Sequence, residues 1–244
     1  MRISSFWLAL GRVAVCMAIT GMFMLYTAGF QTLPVLDRVN NVLYDFRLRK
    51  TLAKTIDPRI VIVAIDEASL EQEGQWPWSR EKMAYLMDIL FSYYQIKLLG
   101  FDMVFSEPDH SSGMGVLEKL ASEQLKNDAK FLSAFKELKP RLSYDQVFAQ
   151  SLRDGPVVMG YFFSHIQERV AQVGRLTAPL ATPIPLPFDS SFLFNAKSYV
   201  ANLPVIQDAA RSAGYFENPY IDQDGIYRRL PLIIQYQGKI YQSL

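Results

Sequence analysis

Residues 59–109 read RIVIVAIDEASLEQEGQWPWSREKMAYLMDILFSYYQIKLLGFDMVFSEPD. Two apolar runs, 60–65 and 97–105, each end in acidic residues. Between them lie a Gly-Gln-Trp-Pro-Trp loop and a segment of helical period. Strand, loop, helix and second strand form the βαβ grammar of a parallel sheet. Such a sheet gathers polar residues where its strands end, and ligands bind there. This stretch therefore predicts an α/β fold and also holds the first place to look for a site.

With 244 residues, 50% of them hydrophobic and 20% charged, the chain has ample surface for one large or two small domains and is neither disordered nor a multi-span membrane protein. The net charge of +1 gives no electrostatic case for a nucleic-acid partner. The histidines are His110 and His165, and the single cysteine, Cys16, sits in the N-terminal apolar run. That argues against a cysteine metal site or a disulfide framework and fits a periplasmic setting.

Residues 13–30 (VAVCMAITGMFMLYTAGF) carry no charge, close to the minimum for a spanning helix. Apolar residues 6–11 extend the run, with Arg12 snorkelling toward the head groups. A retained transmembrane helix is the first reading; a cleaved signal peptide and a buried core helix are the alternatives. Arg2 and Arg12 on one side face Arg38, Arg47, Arg49 and Lys50 on the other, so charge does not decide the orientation. Leu33, Leu36, Val39, Leu43 and Phe46 then recur at spacings of three and four, predicting an amphipathic juxtamembrane helix over 34–52. The expected organisation is a membrane helix in 1–32, this juxtamembrane segment in 33–55 and a domain in 56–244.

The remaining expectations are helices over 81–94, within 113–137, over 144–153 and over 203–210. Strands are expected over 157–163, 214–217 and 226–236. A Pro-rich loop spans 177–188, a turn falls at 222–225, and a hairpin turn at Gln237-Gly238 leads into 239–244. The sequence stops inside that last strand, which suggests that the domain continues.

Asp66 and Glu67 follow the first run, Asp102 lies in the second, and Glu107 and Asp109 follow it; neighbouring parallel strands would bring these carboxylates together. They could bind a divalent cation, serve phosphotransfer, or act structurally as loop caps and partners of Arg80 or Arg228. No Gly-rich phosphate loop, Ser-His-Asp set or metal-spaced histidine pair supports catalysis, so no catalytic residue, metal or cofactor is assigned. Trp76-Pro77-Trp78 precedes Ser79, a plausible N-cap. The two indoles either close one end of the core or wall a pocket in which Arg80 holds an anion. In DQDGIYRR (222–229), Asp224-Gly225 signals a turn, without the closing Glu of a calcium loop. Arg228 and Arg229 would alternate faces of a strand, one of them toward the carboxylates.

The ordered set IVIVAIDEASL, WPWSR, LLGFDMVFSEPD, YDQVFAQSL, GPVVMG and AGYFENPYIDQDGIYRRLPL resembles the CHASE type 2 domain, the cyclase/histidine kinase-associated sensory extracellular domain. The likeness runs from about Asp37 to Leu244. Its specific parts are WPW before an arginine, the D-x-x-F-x-x-P run at 102–108 and the final D-x-D-G-x-x-R-R. A charged insertion around 111–142 departs from the pattern. The resemblance implies an α/β fold with a mixed, mainly parallel sheet, flanking helices and a C-terminal antiparallel hairpin. It also implies a non-catalytic sensor outside the bacterial inner membrane, feeding a cytoplasmic nucleotide cyclase or kinase. A homodimer is expected with such an output. The expected ligand pocket at the strand ends is lined by Asp66, Trp76, Trp78, Arg80, Asp102, Glu107, Asp109 and Arg228, and its closure would shift the 34–52 helix. The signal itself is not named by these residues. A membrane-anchored protein-interaction domain without small-ligand sensing is the alternative.

Overall fold

The structure, a computed structural model, describes residues 5–31, 33–53, 55–164, 172–180 and 193–244. It divides into two compact units, Met1–Ala64 and Ile65–Leu244.

The first unit holds helices α1 (Ser5–Thr27) and α2 (Pro34–Thr51). Within α1, Trp7–Thr27 has a mean hydropathy of 1.9 and none of it is buried, so it is long and apolar enough to cross a membrane. Pro34 opens α2 at a position where a missing N–H costs nothing. The Tyr26 hydroxyl donates to Asp37 Oδ1 (2.7 Å), tying the two helices together. Residues 60–65, expected as the first strand, form no strand, and Ile60, Val61, Ile62 and Val63 are exposed. The continuous apolar run has strand composition, but a strand exists only where a neighbour accepts its N–H and C=O groups, and no described residue pairs with it.

The central strand, β2 (Val157–Ser164), belongs to the second unit. It pairs in parallel with β1 (Leu99–Gly100) and with β5 (Ser212–Tyr215), and antiparallel with β4 (Ser198–Val200). A second sheet joins β3 (Asn195–Ala196) in parallel to β6 (Ile233–Tyr236), which forms an antiparallel hairpin with β7 (Lys239–Gln242). The hairpin turns at Gln237 and Gly238, with φ of 49° and 74°, the left-handed pair that matches strand twist. The two sheets meet where the Leu244 N–H donates to the Tyr215 carbonyl (2.8 Å). Gly214 permits this approach, since a Cβ there would lie 2.4 Å from the Leu244 nitrogen. The α/β expectation, with mixed sheets and a terminal hairpin, therefore holds. Two expected strands are much shorter: 97–105 pairs through β1 and the Phe101 N–H, and 226–236 enters a ladder only at Ile233. Arg228 and Arg229 instead serve the ion pairs of a turn, described below.

Among the described residues, six helices complete this unit: α3 (Glu67–Glu73), α4 (Arg80–Asp88), α5 (Met114–Ser122), α6 (Ala129–Leu142), α7 (Tyr144–Arg153) and α8 (Pro204–Gln207). One turn of π-helix, Ile89–Tyr93, continues α4. The apolar faces of α4 (Met83, Ala84, Met87) and α7 (Phe148, Ala149, Leu152) join the core with Val157, Met159 and Tyr161 of β2. Phe101, Phe105 and Phe148 meet edge to face at 5.1–6.1 Å, a favoured quadrupole arrangement. Of the Pro-rich loop expected over 177–188, residues 177–180 have no regular structure, and the rest lies outside the described residues, as does His165.

Candidate functional site

A cleft of about 380 Å³ opens between the loop before α4 and the segment after β1. Trp76, Pro77, Trp78, Ser79 and Arg80 line one wall and residues 104–111 the other. Five of the eight candidate residues thus come together here: Trp76, Trp78, Arg80, Glu107 and Asp109. A groove of about 650 Å³ between α4 and α7 is larger, but its lining has no aromatic ring.

The N-terminus of α4 organises the cleft. Ser79 caps it, its Oγ accepting the Lys82 N–H (3.2 Å). Asp109 completes the cap from the opposite wall: Oδ2 accepts the Arg80 N–H (2.6 Å) and Oδ1 the Ser111 N–H (2.7 Å). A carboxylate at a helix N-terminus also meets the favourable end of its dipole. Partial burial pushes the Asp109 carboxyl up, but the hydrogen bonds from Ser111 and Arg80 and the nearby guanidinium outweigh it, so the net shift is downward. The Asp109 N–H in turn donates to Oδ2 of Asp145 (3.0 Å), in the first turn of α7.

Arg80 lies inward, 9% exposed. Its guanidinium covers the Phe105 ring at 4.4 Å from the centroid, and Nη2 donates to the Glu107 carbonyl (3.2 Å). Nε stands 3.6 Å from Asp145 Oδ1, close enough for an ion pair but too far for a hydrogen bond, and neither atom has a hydrogen-bond partner among the described residues. Burial lowers the Arg80 pKa, opposed by Asp145 and Asp109. The protein's own carboxylates therefore already balance the Arg80 charge, which the pocket alternative assigned to an anion.

The indoles sit 6.1 Å apart and tilted by 58°. Trp78 donates its Nε1–H to the Gly74 carbonyl (2.7 Å) and carries Lys82 Nζ over its ring at 5.4 Å. It is half-buried against the core, whereas Trp76 is 41% exposed.

The three other candidates stand elsewhere. Asp66 caps α3, accepting the Ser69 N–H (2.9 Å) and hydroxyl (2.7 Å), which hold its carboxyl below the usual range. Asp102 is exposed and does not line the cleft. Arg228 turns to its own turn rather than to the strand ends, pairing with Asp222 (2.8 Å) and Asp224 (2.7 Å). The hydrogen bond from Arg228 holds the Asp224 carboxyl at about 2. With the first strand unpaired, the carboxylates after it have no neighbour to converge on. Among the described residues no group of three metal-ligating side chains is found.

Asn202 was not foreseen. Fully buried, it accepts the Phe105 N–H at Oδ1 (2.8 Å) and donates Nδ2 to the Gly160 carbonyl (3.0 Å) and to Gln207 Oε1 (3.2 Å). It thus fixes the ring on which Arg80 rests. In the sequence, Ala-Asn-Leu-Pro before a short helix gives no sign of this role.

The CHASE2 domain family matches residues 15–244. The chain belongs to the CHASE2 family. No curated protein and no solved structure matches it. CHASE2 domains are sensory extracellular domains of cyclase and kinase receptors, which gives this chain a sensory rather than a catalytic role. Within this CHASE2 domain, WPWSR supplies one wall of the cleft and the 102–108 run supplies residues of the other. The matching DQDGIYRR segment forms the ion-paired turn instead.

Proposed function

We propose that the chain is the extracytoplasmic input domain of a bacterial inner-membrane receptor, working as a homodimer. It regulates a cytoplasmic nucleotide cyclase or kinase by binding a small molecule in the Trp76–Arg80 cleft. The observation that carries the ligand reading is the cleft itself. A Pro-locked pair of indoles, a buried arginine and two acidic residues converge on a concavity of about 380 Å³, within the size range of small-ligand pockets. A ligand acts by preferring one of two domain states.

The test is a thermal-shift screen of the full chain in detergent, using ions, nucleotides, sugars and amino acids. A true ligand stabilises the folded state by about 2.7 kcal/mol at a hundred times its Kd. Stabilisation of wild type but not of Trp76→Leu places the ligand in the cleft. Equal stabilisation of both, or receptor output unchanged by Trp76→Leu with Glu107→Gln, rejects the site.

The second reading, a protein-interaction domain, is favoured by one surface. Tyr85, Tyr93, Tyr94 and Leu98 are all exposed along α4, its π-turn and the segment before β1. Loss of output in Tyr93→Ser with Tyr94→Ser, without change in any ligand response, would favour it.

A further inference from the structure

We infer that the cleft takes an organic cation, an alkyl- or quaternary ammonium ion, held between the Trp76 and Trp78 indoles and the Glu107 carboxylate. This deepens the site proposed above and rests on that reading.

The charges decide it. Of the ionic groups lining the cleft, Asp109 is taken by the N-terminus of α4 and Ser111, and Arg80 by Asp145, Phe105 and the Glu107 carbonyl. The Glu107 side chain is exposed and has neither an ion-pair nor a hydrogen-bond partner among the described residues. With Arg80 and Lys82 counted as +1 each, and Asp109, Asp145, Glu107 and the Lys82 partner Glu73 as −1 each, the neighbourhood is net negative. An added anion would meet a balanced arginine and an unbalanced carboxylate.

The aromatic lining points the same way. Indole faces attract cations, most strongly where water is partly excluded, and an aromatic wall facing a carboxylate suits an ammonium ion whose alkyl groups pack on the rings while the carboxylate meets its charge. Lys82 Nζ, itself ion-paired to Glu73 (3.0 Å), lies over Trp78, so one face of that ring already takes a cation of the protein's own. A hard divalent ion would need several converging oxygens instead. No group of three such ligands is found among the described residues.

The experiment uses the full chain in detergent with Trp7→Phe, so that of the three tryptophans Trp76 and Trp78 alone report. Tetramethylammonium and butylammonium chlorides are titrated against sodium acetate and sodium phosphate at matched ionic strength. The expected result is a saturable change in indole fluorescence with the ammonium salts. Glu107→Gln should weaken it about tenfold, and Trp76→Leu should abolish it. Glu107 is exposed, so its variant is expected to fold, and an unchanged circular dichroism spectrum checks this. Saturation by acetate or phosphate in place of ammonium overturns the cation assignment while leaving the cleft a ligand site. An ammonium response that survives both substitutions, or silence toward ammonium while the broader screen finds a Trp76-dependent ligand, also overturns it. Silence in both experiments removes the site along with its ligand class.

Discussion

Asn202 Oδ1 accepts the Phe105 N–H at 2.8 Å, across 97 residues of sequence and with Asn202 itself fully buried. Phe105 leaves the β1 segment at the floor of the cleft, where no neighbouring strand receives its N–H. The Asn202 side chain takes the place of that strand. Asn202→Ala should therefore strand the Phe105 N–H and the Gly160 carbonyl in the core. At ~1–3 kcal/mol for each buried group left unpaired, the expected loss is roughly 2–6 kcal/mol, read as a lower midpoint in chemical denaturation. A loss below about 1 kcal/mol would mean that the two groups find other partners.

Arg80 is bounded by Asp145, Asp109 and the Phe105 ring, so its removal leaves carboxylates in a partly buried place. Arg80→Met should cost about 3–5 kcal/mol, as expected when one partner of a buried pair is lost. Arg80→Met with Asp145→Asn should recover part of that loss, because the double variant no longer buries an uncompensated charge. A double-mutant cycle in urea measures the coupling. If the two changes simply add, the ion pair has no energetic content.

Acid should loosen the α4 cap. The Asp109 carboxyl is shifted below its unfolded value, so its contribution is present above about pH 4 and is lost as pH falls through the folded value. The stability gap between wild type and Asp109→Asn should be open at pH 6 and close progressively below about pH 4. Thermal denaturation at a series of pH values gives this gap directly. A gap constant down to pH 2.5 would show that the charge on Asp109 contributes nothing.

These features differ in how far the sequence announces them, and the difference is physical. Helices α4, α5, α6 and α7 and strand β2 carry their burial period or end signals locally, and residues 144–153 bound α7 as expected. The WPW wall was legible because a rigid, indole-rich loop is costly unless it packs or binds. Pairing partners were not legible. Run 60–65 has strand composition, yet its register depends on an edge that distant residues build, and β3 and β4 are too short to show a period. Strand alternation turns one of Arg228 and Arg229 inward, but the nearby Asp222 and Asp224 capture Arg228 once that segment becomes a turn. Asn202 was missed because a buried polar plug has no local pattern; its partners lie 97, 42 and 5 residues away.

Tyr161 offers a test in the direction of gain. Its side chain is fully buried in β2, its ring meets Phe163 edge to face at 5.4 Å, and its hydroxyl has no hydrogen-bond partner among the described residues. Tyr161→Phe keeps the ring and removes the unpaired hydroxyl, so it should stabilise the domain by roughly 1 kcal/mol in urea denaturation at pH 7. Burial, then the neighbouring Tyr241 and Tyr215, push the Tyr161 pKa upward. Its folded-state value therefore lies above the unfolded one, and wild type loses stability as pH rises beyond about 10. The advantage of the phenylalanine variant should widen over that range, since the other tyrosines titrate alike in both proteins. An advantage that is absent at pH 7 and flat with pH would mean that the hydroxyl is satisfied in solution.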